Sequence, residues 1–193
     1  MIDGEDQTMK IVGISGSLRS GSSNTALLRA VAALAPEGVA FLIAPPLDAL
    51  PHFNPDLDGE NPPPPVRDWR ALLESADGVF ICSPEYAHGI PGVLKNALDW
   101  DVSSGKLVNK PVALINASPN HLGAAKAQAS LAQILTAMSA KVIESAAVSV
   151  PAVYKKLDGE GRLTDPETAR ALRASMMTLA SAITVISEAE ESI

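Results

Sequence analysis

With 193 residues, 47% of them apolar, the chain suits one domain with a core of its own, and it holds no run of about 18 uncharged apolar residues that would mark a membrane span. Fifteen Lys and Arg against 22 Asp and Glu leave a net charge of −7 with no basic run to offset it, which excludes nucleic acid and anionic lipid as bulk partners. The single cysteine, Cys82, excludes an intrachain disulfide and a cysteine metal cluster, and points to a reducing, cytoplasmic setting.

Met1–Lys10 is polar and acidic, without the apolar core of a signal peptide. Residues 1–8 read as a disordered leader and 9–193 as a single domain. Lys10–Ser15 is a short apolar run ending at Gly16, the first strand. Thr25–Ala35 carries Leu27, Leu28, Val31 and Leu34 at helical spacing. Val39–Ile43 is a second strand. Pro45–Pro65 is irregular, and the run Pro62–Pro65 reads as a polyproline connector, with a recognition segment for a partner as the other reading.

Val66–Ser75 is a second helix, and Gly78–Cys82 is a continuous apolar strand of the kind covered on both faces. Pro91–Asp101 is a third helix, with Pro91 suited to its first turn. Val112–Asn116 is strand four, and Leu131, Ile134, Leu135 and Met138 mark helix four. Val142–Val150 is strand five, and Asp158-Gly159 signals a tight turn. Thr164-Asp165-Pro166-Glu167 fits a capping box that opens a last helix with the stripe Leu172, Met176, Leu179, Ile183 and Ile186.

Alternating strands and helices, with no repeat and no linker, make this an α/β chain with a parallel sheet between two helical layers. Two strand orders compete. A count of five favours the flavodoxin-like three-layer sandwich, order 2-1-3-4-5, over a six-stranded Rossmann sheet. In both, ligands bind beyond the carboxyl ends of the strands, so loops 16–24, 83–91 and 117–123 matter most.

Gly16-Ser17-Leu18-Arg19-Ser20-Gly21-Ser22-Ser23-Asn24 is built to hold phosphate. Its glycines let N–H groups turn to a ligand, its hydroxyls donate, and the helix it opens adds unpaired N–H groups and partial positive charge. Arg19 brings a full charge in a fork that matches phosphate oxygens. The chain has neither G-x-x-x-x-G-K-[ST] nor G-x-G-x-x-G, so a phosphate monoester suits the loop better than a pyrophosphate. The alternative is a solvated turn capped by Ser23 or Asn24. In the segment from Ser83 to Trp100, Pro84 and Pro91 stiffen the loop and Tyr86 offers a flat face, a seat for a heterocycle or a buried structural loop.

The pair GSLRSGSSN and SPEYAHGIPGVLKNALDW resembles the NADPH-dependent FMN reductase family, which includes quinone and chromate reductases. The similarity runs from Lys10 to about Val150, with Leu50-Pro51 through Asp56-Leu57 and LDGEGRLTD similar too. The resemblance implies FMN held non-covalently, with NADPH or NADH as co-substrate. By position, Ser17, Arg19, Ser22, Ser23, Asn24 and Thr25 would hold its phosphate. Pro84, Glu85, Tyr86 and Ala87 would line the ring, partly through backbone groups, and Ser118 and Gly123 would close the other side. The resemblance also implies a homodimer or homotetramer, with Leu94 and Trp100 as interface candidates. Ala87 departs from an Asn common in the family, and Ala124-Ala125 from a Gly pair.

His88 and His121 sit on two converging loops and are candidates for substrate contact or for the surface. Neither belongs to a metal-ligand spacing, so no metal is expected. His52 carries no signal, and Cys82 reads as a small core residue. The implied activity is an NAD(P)H oxidoreductase with hydride passing to flavin N5 and electrons then to free FMN, a quinone, an azo compound or a metal oxyanion, in ping-pong fashion. No side chain is expected as an essential acid, base or nucleophile. A flavodoxin-type electron carrier and a flavin-binding interaction scaffold are the alternatives.

Overall fold

The computed structural model describes residues 8–119 and 123–191. Apart from Thr8, the expected leader lies outside them. The strands are β1 (Met9–Ser15), β2 (Val39–Ile43), β3 (Gly78–Ser83), β4 (Pro111–Ala117), β5 (Lys141–Val142) and β6 (Val148–Val150). The helices are α1 (Ser23–Ala33), α2 (Pro64–Glu74), α3 (Gly92–Val102), α4 (Ala125–Ala137) and α5 (Pro166–Glu191). The sheet is parallel in the order β2-β1-β3-β4-β5, as expected, with β6 also paired to β4.

Alternate residues of the central strands point to opposite layers, which is why their sequences are apolar throughout. Val12, Ile14, Val79, Ile81, Val112 and Leu114 pack under α2, α3 and α4, around Trp69, Leu73, Leu98, Trp100 and Leu131. Ile11, Phe80, Cys82, Ala113 and Ile115 pack under α1 and α5, against Leu27, Leu28, Val31, Leu172, Met176 and Leu179. Every residue of β3 and β4 is buried. By length and composition Pro166–Ala189 could cross a membrane, with mean hydropathy 1.2. Its apolar stripe instead lies on the sheet, as in an amphipathic core helix.

Three local expectations are corrected. The single strand over Val142–Val150 is two short strands, divided by a 3-10 turn at Glu144–Ala146. Glu144-Ser145-Ala146 has low strand propensity, and the Ala146 carbonyl accepts the Ser175 hydroxyl of α5. The second helix begins inside the proline run, at Pro64, because the first turn of a helix has no use for the N–H groups that proline lacks. The last helix is capped by Asp165, not by Thr164: Asp165 Oδ2 accepts the Thr168 N–H at 2.9 Å, while the Thr164 hydroxyl donates to the Lys156 carbonyl.

Candidate functional site

Ser15 pairs in register with Cys82, and Ser83 with Asn116, so β1, β3 and β4 end level. The strand order reverses between β1 and β3. Residues 16–22, 84–91, 118–119 and 123–124 therefore lie on one edge of the sheet, at its switch point.

The first loop is tied down by its own hydroxyls. Ser15 Oγ lies 2.8 Å from Thr25 Oγ1 and accepts the Ser17 N–H at 3.3 Å, and Ser17 Oγ accepts the Arg19 N–H at 3.4 Å. Gly16 has no side chain because Ser83 Oγ would lie 2.9 Å from a Cβ there. The cap of α1 is Ser22, whose Oγ accepts the Thr25 N–H at 3.4 Å, rather than Ser23 or Asn24. The first intrahelical bond is Ala26 N–H to the Ser22 carbonyl, so the Ser23 and Asn24 N–H groups have no acceptor within the helix. With the exposed Arg19 in the loop before them, they could serve as donors to an anion. Asn24 departs from its expected role through its side chain. Its Oδ1 points into the sheet, accepting the Ala117 N–H at 3.2 Å and the Cys82 thiol at 3.3 Å, and only its backbone N–H belongs to the donor set.

In the second loop Tyr86 and Gly89 exchange both backbone hydrogen bonds at 3.0 Å. The two residues between them, Ala87 and His88, have φ of 50° and 66°. This is a tight two-residue reversal of the left-handed kind that favours Asn and Gly. Ala and His are strained there, since Cβ crowds the carbonyl oxygen. Ala87→Gly is accordingly expected to raise the unfolding free energy of the apoprotein by about 1 kcal/mol, read by urea denaturation. No gain would mean that the turn relaxes in solution. Tyr86 and His88 are exposed, and Glu85 is half-buried.

In the third loop, Ser118 is buried and its N–H donates to the Val150 carbonyl at 3.1 Å. Gly123 takes φ of 72°, and Ser149 Oγ would lie 2.7 Å from a Cβ there, so glycine is required on both counts. His121 lies outside the described residues. Asn116, absent from the expected set, organises this corner. Its Oδ1 accepts the Ala124 N–H at 3.3 Å and the Ser149 hydroxyl at 3.0 Å, while its Nδ2 donates to Gln128.

Leu94 and Trp100 are 0% exposed, which removes them as interface candidates for an assembled protein. They are core residues of α3. Trp100 Nε1 and Asn96 Nδ2 both donate to the Pro51 carbonyl, at 2.8 and 3.0 Å, and Asn96 Oδ1 accepts the Phe53 N–H at 2.7 Å. The L-K-N-A-x-D-W motif and the Leu50-Pro51 segment are thus two halves of one fastener. Cys82 is buried, and desolvation pushes its thiol well above the usual cysteine range, so it stays protonated at neutral pH. Among the described residues no group of three or more His, Cys, Asp or Glu side chains could hold a metal ion.

Comparison with known proteins decides the lineage. The family described as NADPH-dependent FMN reductase matches residues 9–155. The chain belongs to this family. The NAD(P)H-dependent FMN reductase of Pseudomonas aeruginosa is 33% identical over 173 residues, covering 89% of this chain and 93% of its own. A quinone reductase of Escherichia coli is 31% identical, with 84% and 88% covered. The flavoenzyme NAD(P)H:acceptor oxidoreductase of Paracoccus denitrificans superposes with a TM-score of 0.76 at 30% identity, covering 91% of this chain and 97% of its own. The family and these relatives are oxidoreductases, and the family's fold is the flavodoxin-like sandwich described above.

Proposed function

We propose that this chain is an NAD(P)H oxidoreductase that binds FMN on the switch-point edge, its phosphate at the start of α1 and its ring between loops 84–91 and 118–124. The observation that carries this reading is the donor set at α1: two helix N–H groups without an intrahelical acceptor, Ser hydroxyls and an exposed Arg19. FMN would supply the hydride-accepting chemistry; the protein's share is position and electrostatics.

Arg19 neutralises phosphate charge, the Ser23 and Asn24 N–H groups donate to it, and Ser17, Ser22, Ser23 and Thr25 offer hydroxyls. Tyr86 presents an aromatic face at the rim, and Gly123 and Ser118 line the other side. His88, exposed at the mouth, meets an incoming substrate, and His121 is assigned the same role. Donor and acceptor use one opening in turn, so the oxidised nicotinamide leaves before the acceptor enters and turnover is ping-pong. A quinone is the first acceptor to test, as the named relatives include quinone reductases; free FMN, azo compounds and metal oxyanions follow. We place the enzyme in the cytoplasm as a homodimer or homotetramer.

The purified protein is expected to take up FMN in preference to FAD and to consume NAD(P)H steadily with a quinone, giving parallel initial-rate lines. Flavin uptake without NAD(P)H consumption would favour an electron carrier or a binding scaffold. A protein that binds no flavin on titration sinks the reading.

A further inference from the structure

The Glu85 carboxylate is used at both oxygens. Oε2 accepts the Ala127 N–H of α4 at 3.0 Å, and Oε1 lies 3.3 Å from His88 Nδ1. α4 lacks a cap of its own: Ala124 precedes it, no side chain there accepts a hydrogen bond, and its first turn has no acid. The first N–H groups of a helix need acceptors, and its partial positive charge favours a carboxylate. Glu85 meets both needs from 42 residues upstream. The Ala127 N–H is the main reason its carboxyl sits below the usual glutamate range.

This bond joins one loop that flanks the proposed ring site to the first turn of α4, the helix that follows the other. The loop carrying Glu85 needs an anchor, since the next residues but one, Ala87 and His88, are strained. On the other side, α4 is held at its start by Asn116 Oδ1, which accepts the Ala124 N–H. Glu85 therefore links a strained turn to a helix end already fixed on β4.

We propose that Glu85 is a positioning residue: its side chain caps α4 and thereby sets the distance between loop 84–91 and the start of α4. The proposal rests on the FMN reading above. It gives the Glu85 side chain no contact with the ligand and no part in proton transfer.

The test uses three variants of the full chain and two readouts. Amide hydrogen exchange of the apoprotein reports on the cap alone, and fluorescence titration with FMN reports on the site. In Glu85→Ala, exchange at the Ala127 amide should rise about tenfold, as for a lost helix cap, with α5 amides unchanged. Glu85→Gln keeps a neutral acceptor at the same reach and should stay within about threefold of the parent. Glu85→Asp keeps the charge but falls short by one methylene, and should behave like Glu85→Ala. The FMN dissociation constant should follow the same order, rising about tenfold in the Ala and Asp variants. Gln and Asp suit this half-buried position, so the comparison survives if the Ala variant fails to fold.

An Ala127 amide indifferent to all variants would overturn the proposal. So would faster exchange with unchanged FMN affinity, which would leave the FMN reading intact. Loss of FMN affinity in Glu85→Gln with Ala127 exchange at the parent rate would mean that the charge itself acts on the ligand, against the proposal. A parent protein that binds no FMN would instead refute the reading on which the proposal rests, even with the exchange pattern as expected.

Discussion

Arg19→Ala is expected to weaken FMN binding by about 1.5–3 kcal/mol, the range for a hydrogen bond to a charged group. That is roughly a 10- to 150-fold rise in the dissociation constant. The guanidinium is exposed, while the backbone around it is held by other bonds: the Arg19 N–H donates to Ser17 Oγ, and its carbonyl accepts the Ser22 N–H at 3.0 Å. Removing the side chain therefore leaves the loop in place and takes away only the charge it presents. The melting temperature of the apoprotein should not move, since a solvated arginine contributes little to folding. Arg19→Lys should fall between, because an ammonium keeps the charge and loses the fork. Titration of the apoprotein with FMN, followed by flavin fluorescence, measures the effect. Unchanged affinity in a folded Arg19→Ala variant would show that the phosphate sits elsewhere.

Trp100→Ala is expected to cost about 3–5 kcal/mol of stability, the range for emptying a buried aromatic site. The indole is fully buried, meets the Phe53 ring edge-on with centroids 5.0 Å apart, and donates to the Pro51 carbonyl. Its loss leaves a cavity under α3 and frees the 51–53 loop that Asn96 and Trp100 clamp together. Urea unfolding followed by circular dichroism measures it. Trp100→Phe should cost less, since it refills much of the volume and loses only the N–H bond. A cost under about 1 kcal/mol in Trp100→Ala would mean that the side chain is solvated and that the fastener does not form.

The two kinds of prediction mark two depths of reading. The role proposed for Arg19 rests on a contiguous stretch, Gly16 to Asn24, whose residue types and following helix suit an anion. What Trp100 does depends on a loop 49 residues away, and spacing within a helix carries no trace of it. An aromatic and a leucine in a motif shared across a family look like interface material in one dimension. Packed, they are the inner face of α3.

Local physics determined from the sequence alone the alternation of strands and helices, the sheet buried on both faces, and the loop at α1. These follow from apolar periodicity, glycine and proline placement, and the charge and hydroxyl content of short segments. The family resemblance, carried by two motifs, pointed to the lineage. Only the tertiary structure decided where polar side chains turn. Asn24 reaches 93 residues along the chain to the Ala117 N–H, Glu85 reaches 42 to Ala127, and Asn116 collects Ala124, Gln128 and Ser149. It also decided that strand five would break and that a helix would begin within four prolines. The physical reason is common to all of these. Secondary structure is set by neighbours within a few residues, whereas a buried donor or acceptor must be satisfied by whichever partner the packed sheet brings alongside it.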